Sequence, residues 1–124
     1  MGPRLRDLGL SIGRLPTGPS NSIADVAGTS VGHATVVHDE PRAARTGVTV
    51  VHTRAPGGRG DLCPAAMYSL NGNGEVTGSH WVAESGLLAG PVAITNTHQV
   101  GIVRDELVRW QEIGRSTRLN SSHT

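Results

Sequence analysis

The chain has 124 residues, a formal net charge of +1, and 36% hydrophobic against 17% charged residues, a size that suits one soluble domain of the usual range of about 100–150 residues. Phe is absent, and two Trp and one Tyr stand against 17 Gly and 7 Pro, so any core must be built from Val, Ile, Leu and Ala. The composition excludes a basic stripe interleaved with aromatics for nucleic acid, the run of roughly 20 apolar residues that spans a bilayer, and, with Cys63 alone, an internal disulfide.

Taken in order, the chain opens on a loop-rich arm to Ser22. Arg4, Arg6 and Asp7 interrupt any signal-peptide core there, which leaves the cytoplasm as the expected compartment. Alternation predicts strands over 23–26 and 30–38 around a turn at Gly28, with Val31, His33, Thr35 and Val37 sharing one face of the second. A charged loop with Pro41 follows. The β-branched run 46–53 predicts a strand covered on both faces, and 66–70 a further one, beyond a Gly/Pro-rich loop between Arg54 and Pro64.

Residues 69–105 carry the densest information. Asn71-Gly72 and Asn73-Gly74 are consecutive Asn-Gly pairs, which predict two sharp turns at positive φ. Ser79 and Gly86 bracket a short helix as its N-cap and C-cap. The apolar run 91–94 reads as a strand that feeds the polar turn Thr95-Asn96-Thr97-His98. Val100, Val103, Leu107 and Trp110 then recur at helical spacing and predict a core-packing helix over 100–111. A strand leading through a polar turn into a helix start presents unpaired backbone N–H groups beside side-chain donors, a way to hold an anion or oxyanion.

Other patterns carry less. Cys63 reads as a small apolar residue of a Pro-flanked loop rather than a nucleophile. His33, His38, His52, His80, His98 and His123 lack metal-ligand spacing, so no metal is expected. The run from Gly72 to Gly78 misses the dinucleotide fingerprint by one residue, and the loop from Ala55 to Asp61, with its Arg59-Gly60-Asp61 tripeptide, lacks a P-loop ending. No cofactor follows from either. Glu84, in the short helix, reads as a solvated carboxylate.

The ordered segments Arg6-Asp7-Leu8-Gly9, Asn21-Ser22-Ile23-Ala24-Asp25-Val26-Ala27-Gly28, Val31-Gly32-His33-Ala34-Thr35 and Arg45-Thr46-Gly47-Val48-Thr49 carry a resemblance, together with the blocks 70–78, 80–88 and 94–105. In order and spacing the chain resembles the DmpA-type aminopeptidases, the L-aminopeptidase/D-esterases and β-peptidyl aminopeptidases, over residues 4–110. The resemblance implies a mixed α/β chain forming the front portion of an αββα four-layer sandwich. It also implies a precursor that cuts itself at a Gly-Ser bond, so that the freed Ser, activated by its own N-terminal amine, attacks a peptide, amide or ester carbonyl. That Ser is expected beyond Thr124, which would leave this chain without its nucleophile and dependent on the C-terminal part of the same precursor, in a homo-oligomer when full length. Residues 1–111 form the expected aminopeptidase part. Residues 112–124 depart from the pattern, and 116–123 can be read either as the translation of a common sequencing-library adapter or as a natural polar tail.

Within the chain, Asn71, Asn73 and Glu75 of the first loop, and Asn96 and His98 of the second turn, are the expected substrate-cleft residues. The competing expectation is that the Asn-Gly pairs shape a structural turn and that Thr95, Asn96 or Thr97 caps the helix. The other class of function open to the sequence is a small non-enzymatic α/β module binding a partner or a small anion.

Overall fold

The computed structural model describes residues 2–54 and 62–122, with side chains described as far as Gly114. The loop from Ala55 to Asp61 and His123 lie outside the described residues. Among the described residues there are two antiparallel sheets and two α-helices: β1 (Ser30–His38), β2 (Ala44–His52), β3 (Leu62–Pro64), α1 (Ser79–Ser85), β4 (Leu87–Ala89), β5 (Val92–Thr95) and α2 (Val100–Ser122). The larger sheet has the order β1-β2-β5, and β3 pairs with β4 in the smaller one.

β1 and β2 are each nine residues long and pair along their whole length, from Ser30 opposite His52 to His38 opposite Ala44. Their connection is closed by the Arg45 guanidinium, which donates to the carbonyls of His38 (2.9 Å) and Ala44 (2.8 Å) and meets the Asp39 carboxylate. β5 adds to the other edge of β2, with Val48 opposite Thr95 and Val51 opposite Val92. The two-residue period puts Thr46, Val48, Val50 and His52 on one face of β2. That face meets α2, where the His52 and Trp110 rings lie 5.1 Å apart at 59°.

The middle strand was expected to be covered on both faces. The structure covers it in part: Val51 is 8% exposed, flanked by Val31 and Val92, and its neighbours in β2 are half-buried. On the same face as Val51, Val37 is 64% and Ile94 62% exposed.

Two expected strands are corrected. Residues 23–26 form a 3-10 turn, Ile23–Asp25, because Ser22 and Asp25 cap it reciprocally: Ala24 N–H donates to Ser22 Oγ (3.2 Å) and Ser22 N–H to Asp25 Oδ2 (3.2 Å). β1 therefore pairs with β2, although the chain does turn at Gly28 as expected, with a left-handed φ of 84°. Residues 66–70 form no strand. Their neighbours Leu62–Pro64 take β4 as partner, the pairing finishes with Ala65 N–H donating to the Gly86 carbonyl (2.9 Å), and Met67, Tyr68 and Leu70 are left exposed without a ladder.

Three local expectations also shift. Gly78, at φ 87°, is the N-cap of α1 in place of Ser79, while Gly86 (φ 70°) is the C-cap as expected, its N–H reaching the Val82 carbonyl (2.8 Å). Neither Asn-Gly pair adopts positive φ; the bend is made by Asn73 N–H donating to Asn71 Oδ1 (3.0 Å), a side-chain substitute for a backbone turn. Helix α2 runs past Gln111 to Ser122, since no Pro interrupts that stretch and Gly114 alone costs a helix only about 1 kcal/mol.

The N-terminal arm folds back on one cluster. The Arg4 guanidinium donates to the Ser20 carbonyl (2.6 Å) and to that of Asn21, and Asp25 accepts from the Ser20 hydroxyl and from the Ser20 (3.1 Å) and Ser22 (3.2 Å) amides. The Ser20 hydroxyl, helped by these amides and opposed by desolvation, holds the Asp25 carboxyl below its ordinary value of 3.8.

A lowered folded-state pKa contributes stability that is present above 3.8 and lost as pH falls through the folded value. Amide protection over residues 20–26 should therefore collapse below pH 3.8 before that of the β1–β2 ladder, and Asp25→Asn should abolish the dependence. In β2, a Cβ on Gly47 would run into the Ala34 carbonyl oxygen and lie 3.2 Å from Thr35 Cα, whereas one on Gly32 meets open space. Gly47→Ala should destabilise the ladder by about 1–3 kcal/mol and speed its amide exchange, with Gly32→Ala as the benign control; equal protection in the two variants counts against this packing.

Candidate functional site

Two polar segments carry the expected cleft residues, and each is held by its own local bonds. In the first, the Ser69 hydroxyl donates to the Asn71 carbonyl (2.8 Å) and Asn71 Oδ1 accepts from Asn73 N–H (3.0 Å). Asn71, Asn73 and Glu75 are all exposed. The Asn-Gly run thus displays its side chains and backbone to solvent on a loop shaped by one amide.

In the second, Asn96 uses both ends of its side chain. Its Oδ1 accepts from His98 N–H (3.1 Å), capping the 3-10 turn Thr97–Gln99 that opens onto α2, and its Nδ2 donates to Thr46 Oγ1 (2.7 Å) across the sheet. Thr95 Oγ1 donates to the Gly47 carbonyl (2.9 Å) beside it. Of the three residues weighed as caps, Thr95, Asn96 and Thr97, it is Asn96 that takes the role, with a strand-to-strand tie added. The sequence could not show that tie, because it depends on the antiparallel register of β2 and β5. His98 is exposed beside this turn.

No hydrogen bond or ion pair joins the two segments among the described residues, so their meeting at one cleft is not built from direct contacts. Nor do they line the concavity of about 370 Å³ that lies between β2 and α2, walled by Val48, Val50, His52, Val103, Leu107 and Trp110. That surface is mostly apolar, with Glu106 also among its lining residues. It has the character of an incompletely filled helix-on-sheet interface, since a substrate site needs several convergent polar groups.

Of the remaining reactive groups, Cys63 is a half-buried free thiol whose Sγ donates to Thr53 Oγ1 (3.5 Å). Glu84 is exposed on α1. His33 Nδ1 and Thr49 Oγ1 lie 3.0 Å apart across β1 and β2. This is a hydroxyl–imidazole pair, but it sits on an exposed stretch of sheet, and no carboxylate orients the imidazole among the described residues. No group of three or more His, Cys, Asp or Glu gathers to hold a metal ion among the described residues. No helix among them is long and apolar enough to cross a membrane.

Comparison with known proteins gives this geometry its setting. The chain is 43% identical over 115 residues to a β-peptidyl aminopeptidase of Sphingosinicella microcystinivorans, an alignment covering 88% of this chain and 28% of that protein. It superimposes with a TM-score of 0.80 on the L-aminopeptidase D-Ala-esterase/amidase of Ochrobactrum anthropi, described as a prototype of the serine aminopeptidases and a variant of the Ntn hydrolase fold. That match has 40% identity and covers 94% of this chain and 33% of the other. A β-aminopeptidase of a Burkholderia species matches equally well, with a TM-score of 0.80 and 47% identity over 88% of this chain and 31% of its own. The chain thus spans about a third or less of the length of these relatives, and within that span it has the mixed α/β fold that the sequence blocks implied. The model of peptidase family S58 matches residues 21–123, so the chain belongs to peptidase family S58.

Proposed function

We propose that this chain is part of a serine aminopeptidase of the N-terminal-nucleophile type, which releases N-terminal residues from peptides, amides or esters in the cytoplasm. The observation that carries the reading is the superposition at TM-score 0.80 and 40% identity over 94% of the chain on a serine aminopeptidase. In this reading a longer precursor cuts itself at a Gly-Ser bond. The freed Ser then supplies both the attacking hydroxyl and, through its amine, the base that activates it. The segment described above is scaffold: it contributes sheet, helix and loops, while the reacting groups come from the remaining polypeptide of the same precursor, within a homo-oligomer.

The loop at Asn71, Asn73 and Glu75 and the turn at Asn96 and His98 border the substrate cleft in this proposal. Their exposure supports it, as do the exposed apolar side chains of the sheet, which weigh against a self-sufficient binding module.

The purified 124-residue chain should show no hydrolysis of amino-acid amides, esters or β-peptides above buffer, and robust turnover free of any longer contaminant would defeat the proposal. In a full-length relative, Ala at the positions matching Asn73 and Asn96 should lower kcat/KM while self-cleavage persists. Unchanged kinetics in both variants would remove these loops from the cleft.

A further inference from the structure

We infer that Asn71 and Asn73 are sites of self-modification: each loses its side-chain amide to the backbone nitrogen of the glycine that follows and becomes aspartate or isoaspartate. In this step Gly72 N attacks Asn71 Cγ, the N–Cγ bond forms, the Cγ–Nδ2 bond breaks, and ammonia leaves with the amide proton. Water then opens the five-membered imide. Cleavage at Cγ–N leaves an ordinary aspartate at position 71, and cleavage at the main-chain carbonyl leaves its isoaspartyl isomer. Gly74 N and Asn73 Cγ follow the same course. Solvent water is the only co-reactant, and the product carries one new negative charge per event.

Three features of the loop favour this. The attacking nitrogens are available, since neither Gly72 N–H nor Gly74 N–H donates a hydrogen bond to any described residue. Both glycines are unhindered by the rest of the fold, because no atom beyond their chain neighbours lies within 4 Å of where a Cβ would stand on either, and neither is locked at positive φ. A glycine so placed can swing its nitrogen toward the preceding side chain at little conformational cost. At Asn71 the carbonyl is also polarised, because Asn73 N–H donates to Oδ1 at 3.0 Å and makes Cγ more electrophilic.

Asn96 is the internal control. Its Oδ1 is held by His98 N–H and its Nδ2 by Thr46 Oγ1, and the residue that follows is the β-branched Thr97. The chemistry is independent of the proposed catalytic reading. Only its consequence, new carboxylates beside Glu75 at a cleft edge, rests on that reading.

The test is peptide mapping by mass spectrometry of the purified chain held in mildly alkaline buffer at physiological temperature. A synthetic peptide of residues 70–76 serves as the unconstrained reference. Expected are isoaspartate and aspartate at 71 and 73, at rates no slower than in the peptide, with Asn96 unchanged. Gly72→Ala should abolish the signal at 71 alone, and Gly74→Ala the signal at 73 alone. Both substitutions fit the open space, so circular dichroism should be unaltered. A peptide that converts while the chain does not, or conversion that persists undiminished in the alanine variants, would overturn the inference.

Discussion

Hydrogen-bonded pairing of β1 with β2 holds this structure, because apolar burial alone does too little. All nine residues of each strand take part, and β5 is registered against the same β2. Everything placed later depends on that frame: the Thr95 and Asn96 bonds reach back to Gly47 and Thr46, and α2 lies on the face defined by Val48, Val50 and His52. By contrast, Val51 is the one apolar side chain buried among the described residues. A fully buried Val, Leu or Ile contributes about 1.5–3 kcal/mol, and Val37, Ile94, Ile102 and Leu70 are exposed. A three-stranded sheet with one helix on it, in a chain without Phe, leaves those faces uncovered among the described residues.

Much of the fold was legible in residue order. The alternation from Ser30 to His38 located β1 to the residue, the β-branched run located β2, and the apolar stripe from Val100 to Trp110 marked the start and inward face of α2. The failures share a cause, local bonding that outcompetes hydrophobic pattern. Ser22 and Asp25 cap a 3-10 turn where alternation suggested a strand. Asn71 turns the chain with its side chain where Asn-Gly suggested left-handed backbone. Gly78 displaces Ser79 as N-cap because its own αL geometry sets the helix entry. The run 66–70 had strand-like residues but no partner, and partner choice is a long-range property that no window of sequence contains.

The candidate site was legible as two polar segments and not as an arrangement. Asn96 shows why structural and functional expectations need not exclude one another: it caps a turn, ties β5 to β2, and in doing so fixes the exposed residues around it. A side chain with both amide ends engaged is better suited to positioning than to reacting. Asn73, Glu75 and His98 lie exposed on the segments that Asn71 and Asn96 hold in shape. The apolar cleft between β2 and α2 marks where packing is unfinished.

Scanning calorimetry of the purified 124-residue chain addresses most directly whether it lacks the surface it needs. A broad, weak transition should be seen, with an enthalpy well below the value of about 0.7 kcal/mol per residue usual for folded domains. A sharp two-state melt of a monomer near that value would mean that the exposed faces need no cover and that this chain stands as a domain by itself.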